Sequence, residues 1–303
     1  MSTHHRHQQK SKKNKPIVII LGLVLLGCLV FQAYLLTHAG QLKKSVSTAK
    51  TSVKTSTSQS SQAKAKEMSW ERKSDPVQIP ILMYHAIHVM DPSEVASANL
   101  IVDPAVFDSH IKRLKDEGYY FLTPEEAYKA LEENSLPTGV DKVVWLTFDD
   151  GNADFYTQAY PILKEYGVKA TNNIITGFVE EERASNVTVE QMREMKEHGM
   201  SFQSHTQNHP DLSSKDSLTQ AQEMTESKAY LDDVLAQETI ALAYPSGRYN
   251  QLTEANASDI YKLAVTTNEG LAEKADGLLS LDRVRVLPGM TADDLLLAMG
   301  DHQ

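Results

Sequence analysis

Three short polar clusters in the sequence carry side chains that could bind a metal ion and activate a water molecule. The first, TFDDG at positions 147–151, contains Asp149 and Asp150. The second, SHTQNHP at 204–210, contains His205 and His209, and the third, AYPSG at 243–247, contains Ser246. Each cluster directly follows an apolar run, so each is predicted to lie where a strand ends.

Two imidazoles and one carboxylate are a ligand set typical of zinc or a similar divalent metal, with positions left open for water. Taken alone, the Asp-Asp-Gly sequence is also a common turn after a strand, and His205 and His209 could be surface residues of a polar loop. Taken together, the clusters predict a metal site in which one aspartate is a ligand and the other is a free base.

The elements that must position these clusters are short apolar strands that alternate with amphipathic helices. Strands are predicted at Ile79–Tyr84, Val143–Phe148, Lys169–Ile175, Met200–Ser204 and Thr239–Ala243. Helices are predicted around the apolar face of Phe107, Ile111 and Leu114, after the capping boxes at Thr123 and Thr188, and through Ile162 and Leu163. The nearly continuous apolar run at 143–148 is typical of a strand that is buried on both faces.

This alternation over about 225 residues indicates one α/β domain with a parallel sheet, either a closed barrel or a doubly wound sheet. In a parallel barrel the carboxyl ends of all strands open at one face. The three polar clusters would then converge there. This common placement favours a shared site more strongly than any one motif does.

The three clusters resemble, in sequence and in order, the first three motifs of the polysaccharide deacetylases, carbohydrate esterase family 4. This resemblance to the NodB homology domain implies a distorted (β/α) barrel of about seven strands. It also implies that Asp149 is the catalytic base and that Asp150, His205 and His209 bind the metal, with zinc expected and cobalt or nickel as alternatives. Ser246 stands where the family has a residue whose backbone N–H helps to form the oxyanion hole.

The segment PILMYHAI at 80–87 resembles the opening strand of the poly-β-1,6-N-acetylglucosamine deacetylases, in which the motifs are permuted. The resemblance implies that His85 lies in the active site near the leaving group. A histidine that is satisfied by its neighbours at a strand end is the alternative interpretation. The functional role is favoured because the sequence offers few other candidate acids.

The sequence also departs from the family pattern. Ala243 replaces the arginine that commonly opens the third motif, and Arg283 or Arg285 could supply the missing charge or could be surface residues of an edge strand. Asn172 and Asn173 occupy positions where phenylalanines are usual. Buried amides need partners, so this strand is predicted either to be locally hydrated or to bind a polar group. The usual C-terminal Leu-x-His motif is not recognisable.

The N-terminal part of the sequence predicts a membrane anchor. The run Pro16–Leu36 has 21 residues and no charge, just enough for a helix to span a hydrocarbon core of about 30 Å. Five basic residues precede it, which favours a cytoplasmic tail at 1–15 and an exported remainder. A signal peptide cleaved near Ala39-Gly40 is the alternative. A lipoprotein cysteine at Cys28 is disfavoured because the apolar run continues past it.

Charge and composition divide the rest of the chain. Residues 1–75 carry 13 basic and three acidic side chains, leaving 17 basic and 37 acidic ones in a predicted catalytic domain at 76–303. A domain with this net charge of −20 does not suit a nucleic-acid partner. The segment 37–75, rich in Ser, Thr, Lys and Gln, is predicted to be a disordered spacer between the membrane and the domain.

These observations favour a single-pass membrane protein whose extracellular domain removes acetyl groups from N-acetylglucosamine units of a polysaccharide, with a poly-N-acetylglucosamine-like polymer as the expected substrate. Peptidoglycan N-acetylglucosamine, or an O-acetyl ester, is the alternative substrate for an enzyme of the same fold. A catalytically inactive, wall-tethered carbohydrate-binding protein is the alternative from another functional class. The intact Asp-Asp-His-His set argues against it.

Overall fold

The computed structural model describes residues 68–301. No helix within this range is long and apolar enough to cross a membrane. The predicted tail, the predicted anchor and most of the predicted spacer fall on residues 1–67, outside the described residues. Membrane insertion, signal cleavage and the disorder of the spacer therefore stay predictions.

The described residues form fourteen strands and eight α-helices. The strands are β1 (Trp70–Arg72), β2 (Gln78–Ile79), β3 (Ile81–Tyr84), β4 (Ala86–Ile87), β5 (Ile101–Val102), β6 (Tyr120–Phe121), β7 (Ser135–Pro137), β8 (Val143–Phe148), β9 (Ala170–Ile174), β10 (Met200–Ser204), β11 (Ala241–Ala243), β12 (Leu263–Glu269), β13 (Ala272–Glu273) and β14 (Leu281–Arg285). The helices are α1 (Pro104–Asp116), α2 (Pro124–Glu133), α3 (Tyr160–Tyr166), α4 (Thr176–Glu180), α5 (Val189–Lys196), α6 (Ser217–Leu235), α7 (Gln251–Ser258) and α8 (Ala292–Ala298).

Seven parallel strands close into a barrel. Their order around the barrel is β3, β14, β12, β11, β10, β9 and β8, and β8 pairs with β3 to complete the ring. Every pairing in this ring is parallel, and β6 pairs with the first residues of β8. The predicted (β/α) barrel is confirmed and the doubly wound sheet is excluded. Residues that follow the strands therefore gather at one end of the barrel.

Side chains alternate between the two faces of the barrel strands. On β8, Val143 and Trp145 belong to an apolar cluster that also draws on β3, β11, β12 and β14 and fills the barrel interior. Val144, Leu146 and Phe148 belong to a second cluster, which packs the barrel against the surrounding helices. All six residues of β8 are buried, which confirms the prediction that this strand is covered on both faces.

The predicted elements agree closely with the observed ones. The five predicted strands correspond to the barrel strands at 81–84, 143–148, 170–174, 200–204 and 241–243. Both predicted capping boxes are present, because the hydroxyl of Thr123 accepts from the N–H of Glu126 and the hydroxyl of Thr188 accepts from the N–H of Gln191. These caps fix where α2 and α5 begin.

The folded domain includes residues before 76, which corrects the predicted boundary between spacer and domain. Trp70–Arg72 forms β1 and pairs antiparallel with β7. Trp70 also packs against the interior cluster, and the ammonium group of Lys129 lies 4.9 Å from the centre of its ring. These apolar and cation–π contacts offset the entropy of ordering the segment. The polar composition around Trp70 gave no indication of these contacts in the sequence.

The two ends of the domain meet at the amino ends of the barrel strands. Residues 73–78, which lead into β2 and β3, and residues 299–301, which follow α8, line one cavity of about 430 Å³. The ammonium group of Lys142, directly before β8, lies 2.7 Å from the carboxylate of Asp301. This ion pair holds the segment after α8 at the end of the barrel that lies away from the three polar clusters.

Candidate active site

Three side chains from two strand ends form a cluster suited to a metal ion, called here the metal-ligand cluster: Asp150 after β8, and His205 and His209 after β10. Their ligand atoms lie within 4.8 Å of one another. Oδ1 of Asp150 is 3.5 Å from Nε2 of His205 and 3.7 Å from Nε2 of His209. Ligand atoms around a tetrahedral zinc are about 3.4 Å apart, given bonds of about 2.1 Å. The predicted donors therefore fit a metal of this size.

The ring of His205 is fixed in the orientation that a metal ligand requires. Its Nδ1 lies 2.8 Å from the carbonyl oxygen of Ala243, which can only accept, so Nδ1 donates and Nε2 faces the other two ligands. Burial lowers the pKa of His205, but the hydrogen bond with Asp150 and the charges of Asp149 and Asp150 outweigh it and raise this pKa. The position therefore favours a positive charge, as a cation site should.

The loops that carry the site have an unusual backbone. Asp150, Thr206, His209 and Ser246 have positive φ, and they are four of the seven such non-glycine residues in the described part of the chain. Positive φ costs free energy in a residue with a side chain and persists only where the surroundings hold it. Here the hydroxyl of Thr206 accepts from the N–H of His209, and the side-chain amide of Asn186 donates to the carbonyl oxygen of Asp150. These bonds fix the direction of two metal ligands.

Asp149 lies beside the metal-ligand cluster but has a different partner. Its carboxylate is 3% exposed and forms two parallel hydrogen bonds with Arg283, at 3.0 Å from Nη1 to Oδ1 and 2.7 Å from Nη2 to Oδ2. Burial alone would raise the pKa of Asp149, but the charges of Arg283 and His205 hold this pKa well below its usual range. The carboxylate is therefore ionised at neutral pH without needing to bind a metal.

The sequence offered Arg283 and Arg285 as sources of the missing positive charge, and in the structure Arg283 supplies it. It lies on β14, between β12 and β3 in the closed ring, so the interpretation of an exposed edge strand is wrong for this residue. Its Nε donates to the carbonyl oxygen of Thr266, and Nη1 also donates to the hydroxyl of Thr147. Arg285 is partly exposed and has no hydrogen bond or ion pair with any residue between 68 and 301.

Asn173 belongs to the site, although the sequence marked it only as an asparagine at a position where phenylalanine is usual. Its side-chain amide donates to Oδ1 of Asp149 at 2.8 Å, so of the two predicted alternatives, hydration and a polar partner, Asn173 has the polar partner. Asn172, the preceding residue, is also fully buried, yet neither its amide oxygen nor its amide nitrogen has a hydrogen-bond partner within the described range. Nothing in the structure explains an asparagine at that position.

His85 follows β3 and lies beside Asp149. Its Nε2 is 4.0 Å from Oδ2 of Asp149, too long for a hydrogen bond, and its side chain is 15% exposed. Burial lowers the pKa of His85, and the charges of Asp149 and Asp150 offset this only in part. Its ring forms no hydrogen bond with another residue in the part of the chain that the structure describes. This disfavours a histidine that is satisfied by its neighbours.

The turn after β11 brings Ser246 to the same end of the barrel. Ser246 has φ of 52° and an exposed side chain, and Gly247 follows with φ of 64°. A Cβ at Gly247 would clash with the side chain of Thr267, so only glycine lets this turn lie against β12. The same turn begins at Ala243, whose carbonyl oxygen orients His205.

A cavity of about 320 Å³ opens beside the metal-ligand cluster and is lined in part by His85 and Asp150. Its outer wall contains an ion-paired histidine, because Nδ1 of His88 is 2.6 Å from Asp154 and Nε2 of His88 is 3.2 Å from Glu94. Burial lowers the pKa of His88, but the hydrogen bonds with these two carboxylates raise it above its ordinary value. The wall is therefore polar, and these ion pairs hold it in place.

Comparison with known proteins identifies the family. The family model for polysaccharide deacetylases matches residues 137–262. A Bacillus subtilis protein named as a polysaccharide deacetylase, YxkH, is 40% identical over 223 residues, which is 73% of this chain and 76% of the relative. The chain belongs to the polysaccharide deacetylase family. It is therefore an enzyme of a hydrolase family that acts on carbon–nitrogen bonds.

Two further relatives support the predicted subgroup of polysaccharide deacetylases. Poly-β-1,6-N-acetyl-D-glucosamine N-deacetylase from Staphylococcus aureus is 35% identical over 164 residues, which is 50% of this chain and 56% of the relative. The solved structure of the Streptococcus pyogenes deacetylase PplD in complex with acetate is 60% identical, with a TM-score of 0.72. That match covers 74% of this chain and 99% of the PplD chain.

The family match and the geometry divide the site residues into two groups. The region matched by the polysaccharide deacetylase model contains the metal-ligand cluster, Asp149 and Ser246. His85 lies before this region and Arg283 lies after it, and only the folded barrel brings both of them to Asp149. Members of this family are metal-dependent, and within residues 68–301 the metal-ligand cluster is the group of side chains that could hold the ion.

Proposed function

We propose that this chain is a metal-dependent N-deacetylase that removes acetyl groups from N-acetylglucosamine units of an extracellular or cell-wall polysaccharide. The observation that carries the proposal is the metal-ligand cluster with a second, buried carboxylate, Asp149, directly beside it. A divalent ion held by the cluster would polarise the acetyl carbonyl group and acidify a water molecule. We expect zinc, with cobalt or nickel as alternatives, because two imidazoles and one carboxylate suit these ions better than magnesium.

The positions of the remaining residues support distinct parts in the reaction. Oδ2 of Asp149 accepts one hydrogen bond, from Arg283, and keeps a lone pair that takes the proton of the attacking water. His85 donates a proton to the departing nitrogen, because an amide nitrogen leaves poorly without one. The backbone N–H of Ser246 donates to the oxyanion that develops on the acetyl oxygen. The products are acetate and a glucosamine unit.

A poly-N-acetylglucosamine-like polymer is the substrate that we favour. The Staphylococcus aureus relative is named for this substrate, and the segment at 80–87, which places His85, resembles that subgroup. Peptidoglycan N-acetylglucosamine and O-acetyl esters are the alternatives that the same residues could process. Deacetylation makes the polymer more positive, and the acidic domain suits such a product.

We further propose that the domain acts outside the cell while attached to the membrane. The uncharged run Pro16–Leu36 and the five basic residues before it support this orientation. A secreted enzyme released by signal cleavage is the alternative. The spacer that follows the run would let the domain reach polymer at a distance from the bilayer.

Acetate release from three substrates tests the proposed activity. The purified protein is offered β-1,6-linked N-acetylglucosamine oligomers, chitin oligomers and peptidoglycan, with added zinc and after chelation. We expect the fastest release from the β-1,6-linked oligomers, its loss on chelation and its recovery with zinc. Faster release from peptidoglycan would reassign the substrate. Oligomer binding without any acetate release would indicate a carbohydrate-binding protein.

Two histidine variants test whether the effect of zinc depends on the metal-ligand cluster. His209→Ala removes one ligand of the cluster and should abolish both stoichiometric zinc binding and acetate release. His198→Ala is the matched control, because His198 is exposed and lies outside the cluster. Equal zinc binding and equal turnover in the two variants would contradict the assignment of the metal site.

A further inference from the structure

Two adjacent asparagines on β9 are buried to the same degree but face different surroundings. Asn172 is 0% exposed and Asn173 is 1% exposed. Ala170 and Ile174 belong to the apolar layer between the barrel and the helices, and strand alternation places Asn172 on their side. Asn173 lies on the barrel-interior side with Thr171, whose hydroxyl accepts from the indole N–H of Trp145. Only the second asparagine therefore reaches the site.

The hydrogen bonds of Asp149 are distributed unequally between its two oxygens. Oδ1 accepts from Nη1 of Arg283 at 3.0 Å and from the amide of Asn173 at 2.8 Å. Oδ2 accepts from Nη2 of Arg283 at 2.7 Å and from no other group in the described chain. A carboxylate oxygen has two strong acceptor sites. Both sites of Oδ1 are occupied and one site of Oδ2 is left open, and Nε2 of His85 lies 4.0 Å from Oδ2.

The guanidinium of Arg283 cannot produce this difference alone. Its two parallel hydrogen bonds give each oxygen of Asp149 one donor, so they fix the plane of the carboxylate and leave one acceptor site open on each oxygen. Asn173 adds the bond that breaks the symmetry. A carboxylate held in this way presents one defined lone pair to an attacking water, and alignment of this kind strongly affects proton transfer.

We propose that Asn173 is a positioning residue that occupies the second acceptor site of Oδ1 of Asp149 and thereby makes Oδ2 the proton-accepting oxygen. The inference rests on the proposed function, in which Asp149 is the base for deacetylation. It goes beyond that function because it assigns the working oxygen and names the residue that selects it. Asn173 itself touches neither substrate nor metal in this account.

The neighbouring asparagine provides a matched control. Leucine has nearly the shape of asparagine, so Asn173→Leu and Asn172→Leu make the same change at two adjacent, equally buried positions. Asn173→Leu removes a hydrogen bond to a charged group, and kcat for acetate release should fall by about 10–100-fold. KM and zinc affinity should stay within about twofold of the wild type, because the metal-ligand cluster is untouched. Asn172→Leu should leave all three quantities unchanged, and removing an unpartnered buried amide should not lower the melting temperature.

A third variant separates positioning from packing. Asn173→Ser keeps a hydroxyl donor on a smaller side chain, so it should recover part of the kcat lost in Asn173→Leu even though it fills less space. If Asn173→Leu does not fold, Asn173→Ser decides the question through its kcat, KM and zinc affinity. A lower kcat and zinc affinity, a higher KM and a lower melting temperature, all in the same variant, would show that Asn173 only supports the structure.

The wild-type measurement keeps this inference distinct from the proposed function. Acetate release by the wild type together with unchanged kcat in Asn173→Leu would overturn the role of Asn173 and leave the deacetylase intact. No acetate release by the zinc-loaded wild type from any of the three substrates would overturn the proposed function itself, and the positioning role with it.

Discussion

Replacing Arg283 with methionine should destabilise the domain strongly, because it leaves the charge of Asp149 buried and unpaired. The side chains of Arg283 and Asp149 are 0% and 3% exposed, so solvent does not screen the pair. Removing one partner of such a pair costs about 3–5 kcal/mol of unfolding free energy. In a domain of this size each kcal/mol moves the unfolding midpoint by about 2–4 °C, so Arg283→Met should melt about 6–20 °C lower at neutral pH.

The size of this destabilisation should depend on pH. In the wild type the pKa of Asp149 is held low, so the contribution of the pair to stability is fully present above the pKa of an unfolded aspartate. It is lost only as the pH falls through the lower folded pKa. In Arg283→Met the buried carboxyl lacks its cation, and desolvation should raise its pKa above the unfolded value. The carboxyl of Asp149 in the variant then takes up a proton on folding. The difference in unfolding free energy between Arg283→Met and the wild type should therefore shrink as the pH falls from about 7.5 towards 5.

Urea denaturation of the metal-free protein at these two pH values measures both effects. Arg285→Met is the matched control, because Arg285 is partly exposed and unpartnered within residues 68–301, and its loss should change stability by less than about 0.5 kcal/mol. The double variant Arg283→Met, Asp149→Leu removes both charges and should recover much of the lost stability. The reasoning fails if the double variant is no more stable than Arg283→Met, or if the two methionine variants unfold alike.

Three further predictions concern the site and the topology. Asp149→Asn should abolish turnover and leave zinc affinity nearly intact, whereas Asp150→Asn should weaken both; equal metal loss in calorimetric titrations would show that the two roles are wrongly assigned. His85→Ala should slow amide hydrolysis by about 10²–10⁴-fold and an activated aryl acetate ester far less, because the ester's leaving group departs without a proton; parallel losses with a lower melting temperature would indicate a structural histidine. If Pro16–Leu36 is an uncleaved anchor, protease added to intact cells should cut within Gln41–Lys66 and release active enzyme, whereas mature protein in the medium that begins near Gln41 would show a cleaved signal.

The metal-ligand cluster could be predicted from the sequence because its parts are local. His205 and His209 lie in one loop, and Asp150 lies directly after a run that reads clearly as a buried strand. The parallel barrel then brings the two loops together by its architecture alone. Predicting that these three side chains meet required no knowledge of how the strands are ordered.

The surroundings of Asp149 could not be predicted in the same way. The role of Arg283 depends on which strands flank β14, and a short strand near the end of the chain does not reveal whether the ring closes beyond it. The role of Asn173 depends on strand register, because a shift of one residue would send Asn172 to the site instead. Trp70 was missed for a related reason, since its partner strand lies more than sixty residues away.

Residues 73–78 and 299–301, near the two ends of the described domain, meet at the amino side of the barrel, and this has a consequence for how a long glycan reaches the enzyme. Residues 73–78 and 299–301 border one cavity there, whereas the metal-ligand cluster follows the opposite strand ends. A support coupled to the domain beside residues 73–78 or 299–301 would therefore lie on the side away from the metal-ligand cluster. A polymer could lie across that cluster and be modified at interior units without being threaded by a free end. Immobilising the domain on beads beside either of these segments should thus preserve its turnover of high-molecular-weight polymer.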